Sequence, residues 1–320
     1  MIFNRMRFHL LGMLLCSFST LACAQSPITI IVPYPAGGAV DALARILSQK
    51  ITEQSGDLFV IENRPGSNGL IGAKAAAQAK PDGRTWVVGA DALMTVNPLL
   101  YPNDRSFSAD KDLVVVRGLA LQQSLLFVYP GLPVKTMKEF VDYAKAHEVA
   151  YGSAGNGSPG HLTMELLGSG TALKMVHVPY KGGNLAMIDL IAGRLQASFG
   201  AVPVALEHVK AGKVTPLAVA AAMRAPQLPN VPTTAEAGYP GLEAETAAFV
   251  MLPAKTPSDA VARVNQLLAL ALADPGVKER ILATGWLPQH DMDRSRAQQW
   301  IAQATSLWSK TIREKGIKAD

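Results

Sequence analysis

Apolar residues along this chain fall into two alternating rhythms. Short continuous runs read as buried strands, and positions three and four apart read as one face of a helix. ITIIV (Ile28–Val32) predicts a first strand, and Asp41 to Ile51 a helix presenting Leu43, Ile46, Leu47 and Ile51. LFVIE (Leu58–Glu62), a helix through Ile71–Ala79, a Pro81-Asp82-Gly83 turn and TWVVGA (Thr85–Ala90) follow. The grammar then restarts. LLFVY (Leu125–Tyr129) precedes a helix with Met137, Phe140, Val141 and Ala144 inward, then a strand at Val149–Gly152. After a glycine-rich stretch come KMVHVP, a helix over Asn184–Ala192, and QASFG (Gln196–Gly200). VTPLAVA (Val214–Ala220) closes the set, with Pro216 marking a sheet edge.

TAAFVML (Thr246–Leu252) is the last strand. Helices follow it, one with Val261, Val264, Leu268 and Ala271 on one side, another carrying Trp300, Ala304, Leu307 and Trp308. The pattern predicts an α/β protein of two assemblies in series, each a mainly parallel sheet between helices. The late strand is expected to return to the first assembly.

The N-terminus changes the picture of where this protein acts. Arg5 and Arg7 precede an uncharged run from Leu10 to Ala22, too short to span a bilayer, and Ala22-Cys23-Ala24 supplies a small-x-small cleavage pattern. Cleavage after Ala24, giving a mature chain from Gln25, is the expectation. Lipidation of Cys23 is the alternative, but Thr20 stands where leucine is usual. Both cysteines, Cys16 and Cys23, lie in the removable segment, so thiol chemistry is not expected. Losing the two arginines takes the formal charge from +5 to +3. So mild a balance, with no basic run, argues against nucleic acid.

Candidate chemistry sits where strands give way to helices. PYPAGGAVD (Pro33–Asp41), RPGSNGLIG (Arg64–Gly72), Gly89-Ala90-Asp91-Ala92, Ser153–His161 and PYKGGN (Pro179–Asn184) are all such loops. In open α/β sheets ligands sit beyond strand carboxyl ends. Glycine-rich turns feeding helix N-termini offer N–H groups and positive potential to a carboxylate or phosphate. Tight turns with no ligand are the competing reading for any one loop.

Enzyme motifs fit poorly. Gly155 to Gly160 matches G-x-G-x-x-G, yet Tyr180 and Lys181 stand where a dinucleotide site needs an acid. A nucleophile elbow needs a glycine two residues before its serine, where Tyr151 precedes Ser153 and Asn156 precedes Ser158. The histidines show no metal-ligand spacing, and Asp41 most simply caps its helix. His161 could donate to an anion, Lys181 could neutralise one, and Tyr34 could wall a cleft; each also has a purely structural reading. Binding without a cofactor or metal is the expectation.

In order along the chain stand ITIIVPYPAGGAVDALAR, VIENRPGSNGLIGA with AKPDGRTW, YGSAGNGSPGHLTMELL, VHVPYKGGNLAMIDLIAGRLQ and LPNVPTTAEAGYPGLEAE. In that order they resemble the Bug family, extracytoplasmic solute receptors of tripartite tricarboxylate transporters. The resemblance implies a type II periplasmic binding protein, a Venus flytrap of two Rossmann-like lobes joined by two crossing strands. The crossings are expected near Leu121–Leu126 and Ala244–Ala248, with residues 25–124 plus 246–320 in lobe 1 and 125–245 in lobe 2. It implies a monomer that holds a small carboxylate and docks on a membrane permease. Carried onto this chain, Tyr34, Ala36, Gly37, Gly38 and Ala39 would grip one carboxylate. Ser153, Asn156, Gly157, Ser158 and His161 would close from the other lobe, beside Lys181, Gly182 and Gly183. Ser67, Asn68, Ala90, Asp91, Gly200, Ala201 and Val202 would line the rest.

Gly200-Ala201 departs from the Asp-Asn pair of many members. The departure implies an emptier, less polar cavity for a ligand without an amino group, with a longer or aromatic body. Two rivals remain open: a ligand sensor for a membrane kinase, and an exported hydrolase or isomerase using Asp41, Asp91 or His161.

Overall fold

The computed structural model describes residues 26–318 apart from 104, 105, 170 and 172; the export segment expected at 1–24 lies outside the described residues. Strands β1 (Ile28–Val32), β2 (Phe59–Asn63), β3 (Thr85–Ala90) and β4 (Leu113–Gln122) belong to one sheet. A second sheet holds β5 (Ser124–Val128), β6 (Val149–Ser153), β7 (Met175–Pro179), β8 (Ala197–Ala201) and β9 (Thr215–Ala220). The chain then returns to the first sheet with β10 (Thr246–Pro253) and β11 (Leu287–Pro288). The orders are β11-β4-β10-β3-β1-β2 and β7-β6-β8-β5-β9. Pro216 lies in β9, an edge strand, as the missing N–H required.

Neither sheet is mainly parallel, contrary to expectation. Parallel pairing is confined to β2-β1-β3 and β7-β6-β8. Strand β10 runs antiparallel to both β3 and β4, and β5 antiparallel to β8 and β9. The cause is the crossing itself. A chain that leaves one sheet as a strand and comes back as a strand cannot keep the direction set by helical crossovers.

The helices are α1 (Ala39–Ser55), α2 (Leu70–Ala77), α3 (Ala92–Thr95), α4 (Asn97–Leu100) and α5 (Ala109–Asp112) in the first lobe. The second lobe carries α6 (Met137–Ala146), α7 (Pro159–Ser169), α8 (Gly183–Ile191) and α9 (Val202–Lys210). Three more end the chain: α10 (Ser258–Ala273), α11 (Pro275–Ala283) and α12 (Arg294–Lys315). Helix α1 buries Leu43, Ile46, Leu47 and Ile51 against the first sheet. It stops at Gly56, whose φ of 74° suits glycine and whose N–H returns to the Thr52 carbonyl. Thr136 and Glu139 close a reciprocal capping box on α6, which buries Met137, Phe140, Val141 and Ala144 as the spacing predicted.

Strand β4 was not among the apolar runs read as strands, because Arg117-Gly118 interrupts its pattern. Arg117 is nevertheless buried, its guanidinium donating to the Asn265 side chain and the His290 carbonyl. Gly118 makes room for Met292, whose thioether fills the space of a side chain there.

The two crossings lie side by side. β4 ends at Gln122 and β5 begins at Ser124, so buried Gln123 bridges the sheets. On the return, Ala244 N–H still bonds Ala220 of β9, and β10 starts two residues later at Thr246. Burial pushes the intervening Glu245 carboxyl up, opposed by a hydrogen bond from Gln123.

Helix α12 belongs to both halves. Ala297, Trp300 and Ile301 pack on the first sheet's core, whereas Ala304, Leu307, Trp308 and Ile312 join the second sheet's core.

Candidate ligand-binding crevice

The carboxyl ends of the two parallel triplets face each other. Two contacts fix this. In the loop after β6, a Cβ on Gly157 would fall 2.2 Å from Leu100 Cδ1 in α4 of the other lobe. Gly285 meets the start of α9, where a Cβ would lie 2.8 Å from Pro203 Cα. Next to Gly285, the Trp286 indole donates to the Ala39 carbonyl at 3.2 Å. The loops following β1, β6 and β8 thus rim one crevice.

On the first side, Asp41 organises the loop Tyr34–Gly38. Its Oδ2 accepts the Gly37 N–H at 3.0 Å and its Oδ1 the Asn63 amide at 3.0 Å, while Arg45 binds both oxygens. Asn63 also donates to the Tyr34 carbonyl at 3.1 Å. Asp41 is therefore no simple N-cap: it sits inside α1 and reaches back to the loop. Asn68 ties the second loop to Asn97 at the start of α4, at 2.7 Å side chain to side chain and 3.0 Å side chain to carbonyl. The Tyr34 hydroxyl lies between them and β3, 3.5 Å from where a Cβ on Gly69 would stand. Burial pushes that phenol's pKa upward, so it stays protonated. Asp91, at the end of β3 after Ala90, is buried, with Oδ2 held by Trp300 and Oδ1 without a hydrogen-bond partner among the described residues.

On the second side, Ser153 accepts the Gly155 N–H at 3.1 Å and lies 2.7 Å from His177 Nε2. The pair looks like a nucleophile and base, but Ser153 is buried and folded into its own loop, 3.1 Å from the Gly155 carbonyl. His161 Nδ1 accepts the Gly157 N–H at 3.1 Å, so that nitrogen offers an anion no proton. Ser158 is buried, and its N–H bonds the Gly155 carbonyl. Asn156 is half-buried within the same loop. Lys181 is exposed beside half-buried Gly182 and Gly183.

Three of the loop glycines are thus already engaged. Gly37, Gly155 and Gly157 spend their N–H groups on Asp41, Ser153 and His161. What remains is the first turn of the helices behind them. Gly38 stands at the N-cap of α1 and Gly182 at that of α8, and neither position offers a side-chain cap. The N–H groups of Ala39, Val40, Gly183 and Asn184 reach no acceptor among the described residues. Ser67 and Asn68 open a short 3-10 turn behind Gly66, likewise without a side-chain cap. By contrast, α6, α11 and α12 are capped by Thr136, Asp274 and Asp293. A four-donor helix start with no cap is a ready anion site.

Gly200 gives a correction. The space beside it is not empty: a Cβ there would meet the Phe127 ring at 2.8 Å. Ala201 and buried Val202 follow at the start of α9. Asn63, Asn97, His177 and Trp286 were not singled out from sequence. Their role is to hold loops, and only the contacts across the fold disclose it.

Among the described residues no helix is long and apolar enough to cross a membrane, and no group of three His, Cys, Asp or Glu could hold a metal ion. The sequence profile of the tripartite tricarboxylate transporter family receptor matches residues 43–317. BugT of Bordetella pertussis is 33% identical, the match covering 91% of this chain and 90% of that one. A solved structure of Rhodopseudomonas palustris Rpa4515 with adipate is 31% identical, covers 92% and 99% of the two chains, and has a TM-score of 0.86. MatC of the same organism, with bound malate, is 28% identical over 89% and 98%, with a TM-score of 0.81. The chain belongs to the tripartite tricarboxylate transporter receptor family, with its two-lobe periplasmic binding fold.

Proposed function

We propose that this protein is a periplasmic receptor that captures one small carboxylated anion between its lobes and presents it to a tripartite permease. The observation that carries the reading is the pair of uncapped helix starts at Gly38 and Gly182, one in each lobe. Each supplies N–H donors and the positive end of a helix dipole to a carboxylate, with no bulky counter-charge. Relatives with adipate and with malate support a ligand of this class.

Capture proceeds by closure. The anion enters the open crevice, bonds Ala39 and Val40 on one side, then draws in Gly183 and Asn184 as the lobes rotate about Gln123 and Glu245. Ligand contacts made only in the closed state shift the population toward it. Residues 1–24 direct export and are removed, and the mature protein acts as a monomer.

The ligand has no amino group. An ammonium needs a free carboxylate, and Asp41 is consumed by Arg45, Asn63 and Gly37. Burial pushes Asp91 up to about 7 and so weakens it as a counter-ion. Neither Gly200 nor Ala201 supplies another.

Native mass spectrometry of freshly purified protein, followed by calorimetry with adipate, malate, aspartate and glutamate, tests the reading. Binding of the plain acids in preference to the amino acids, with the ligand recovered unchanged, is the expected outcome. Preference for aspartate or glutamate would reject the ligand class, and conversion of an acid to product would reject a receptor altogether.

A further inference from the structure

Three rings cluster behind the loop that follows β6. His161 and His177 lie almost parallel, with centroids 3.8 Å apart and planes 10° from each other. Tyr151 flanks the pair, its ring 5.0 Å from His177 and 6.4 Å from His161, centroid to centroid. Each imidazole then touches a different point of the loop. His161 Nδ1 accepts the Gly157 N–H at 3.1 Å, and His177 Nε2 meets Ser153 Oγ at 2.7 Å. The far end is anchored as well, because the Tyr151 hydroxyl donates to Glu165 at 2.7 Å.

The loop has no regular secondary structure to hold it between Ser153 and Ser158, and Gly155 and Gly157 both have positive φ, at 128° and 71°. Glycines in such a loop lose more conformational freedom on ordering than other residues. Something must fix the loop for its closing face to be formed in advance. The stack does so from beneath. Rings at van der Waals distance restrict one another's rotation, and each ring's polar edge sets one loop atom. Nothing in the spacing of His161 and His177 along the sequence discloses this, since they come from α7 and β7.

We propose that His161 and His177 are positioning residues: a stacked imidazole pair that presets the Ser153–Ser158 loop against Leu100 and thereby sets ligand affinity, without touching the ligand. This rests on the receptor reading above, but the loop geometry itself can be read without any ligand.

The test uses the full mature chain and three variants. His161→Phe keeps a ring in the stack and removes the acceptor for Gly157. His161→Asn removes the ring but returns an acceptor close to the Nδ1 position. His177→Phe keeps the stack and breaks the Ser153 link. Amide exchange at Gly157 is followed by NMR in ligand-free protein, thermal melting reports folding, and calorimetry uses adipate and malate as probes. His161→Phe should speed Gly157 exchange and weaken probe binding, each by roughly tenfold, with little change in melting. His161→Asn, which returns the acceptor without the stacked ring, should recover both only in part, and His177→Phe should loosen the loop at Ser153 and Gly155. Unchanged Gly157 exchange in a folded His161→Phe protein would overturn the proposal, as would faster exchange with unaltered affinity. If neither acid binds the unmodified protein, the choice of ligand class fails, and the exchange arm alone still decides the loop's positioning.

Discussion

The indole N–H of Trp300 donates to Asp91 Oδ2 at 3.1 Å, so a helix near the C-terminus fixes a carboxylate at the crevice end of β3. Burial pushes this carboxyl up to about 7, with the Trp300 bond opposing. In the unfolded chain an aspartate releases its proton near about pH 4. Between those values the folded state keeps a proton that the unfolded state has lost. Stability contributed here is complete below about pH 4, falls as pH rises to about 7, and is level above. Asp91→Asn, which keeps an acceptor for Trp300, should remove that slope. Urea midpoints for both proteins across this range check it; parallel curves would refute the assignment.

Asp41 has the opposite sign. Desolvation opposes its ionisation, but Arg45, Asn63 and the Gly37 N–H outweigh it and hold the carboxyl below the usual range. Its stabilisation is present above the unfolded value and is lost as pH falls through the lower folded one. Asp41→Ala should cost about 1–3 kcal/mol, because it removes hydrogen bonds made to a charged, buried acceptor. It should also speed amide exchange at Gly37. A stable variant with a protected Gly37 would show that the loop is held by something else.

Gly157 and Leu100 meet across the lobes, so they should be energetically coupled. Gly157→Ala places a methyl where Leu100 Cδ1 stands and demands positive φ of a residue with a Cβ. The conformational cost alone is about 1 kcal/mol. Adding Leu100→Ala should recover the steric part of the lost ligand affinity but not the backbone part. A double-mutant cycle with zero coupling would mean that the two lobes do not close on this contact.

Trp308 tests the bridging role of α12. Its ring is buried in the second sheet's core while Trp300, two turns earlier, binds Asp91 in the first lobe. Trp308→Ala should cost about 3–5 kcal/mol in chemical denaturation. A loss below about 1 kcal/mol would show that the second half of α12 is not docked there.

Much of this molecule was legible in the order of its residues. Continuous apolar runs located β1, β3, β5, β6 and β10, since a strand buried on both faces needs no polar position. Glycine clusters located the crevice loops, because few other residues tolerate such backbone turns. Strand direction was not legible, because a run such as Thr246–Pro253 has the same pattern whichever way it enters a sheet. Arg117 and Gly118 hid most of β4, their burial depending on Asn265, His290 and Met292 far along the chain. The division of labour in the site was decided by tertiary structure alone. Composition could say that the loops are rich in N–H donors. Only contacts from Asp41, His161 and Ser153 determine that the amides of Gly37, Gly157 and Gly155 are already satisfied, leaving the helix starts at Ala39 and Gly183 open. Local pattern sets which backbone shapes a segment can take; which of its polar groups stay available depends on partners that sequence separates and folding brings together.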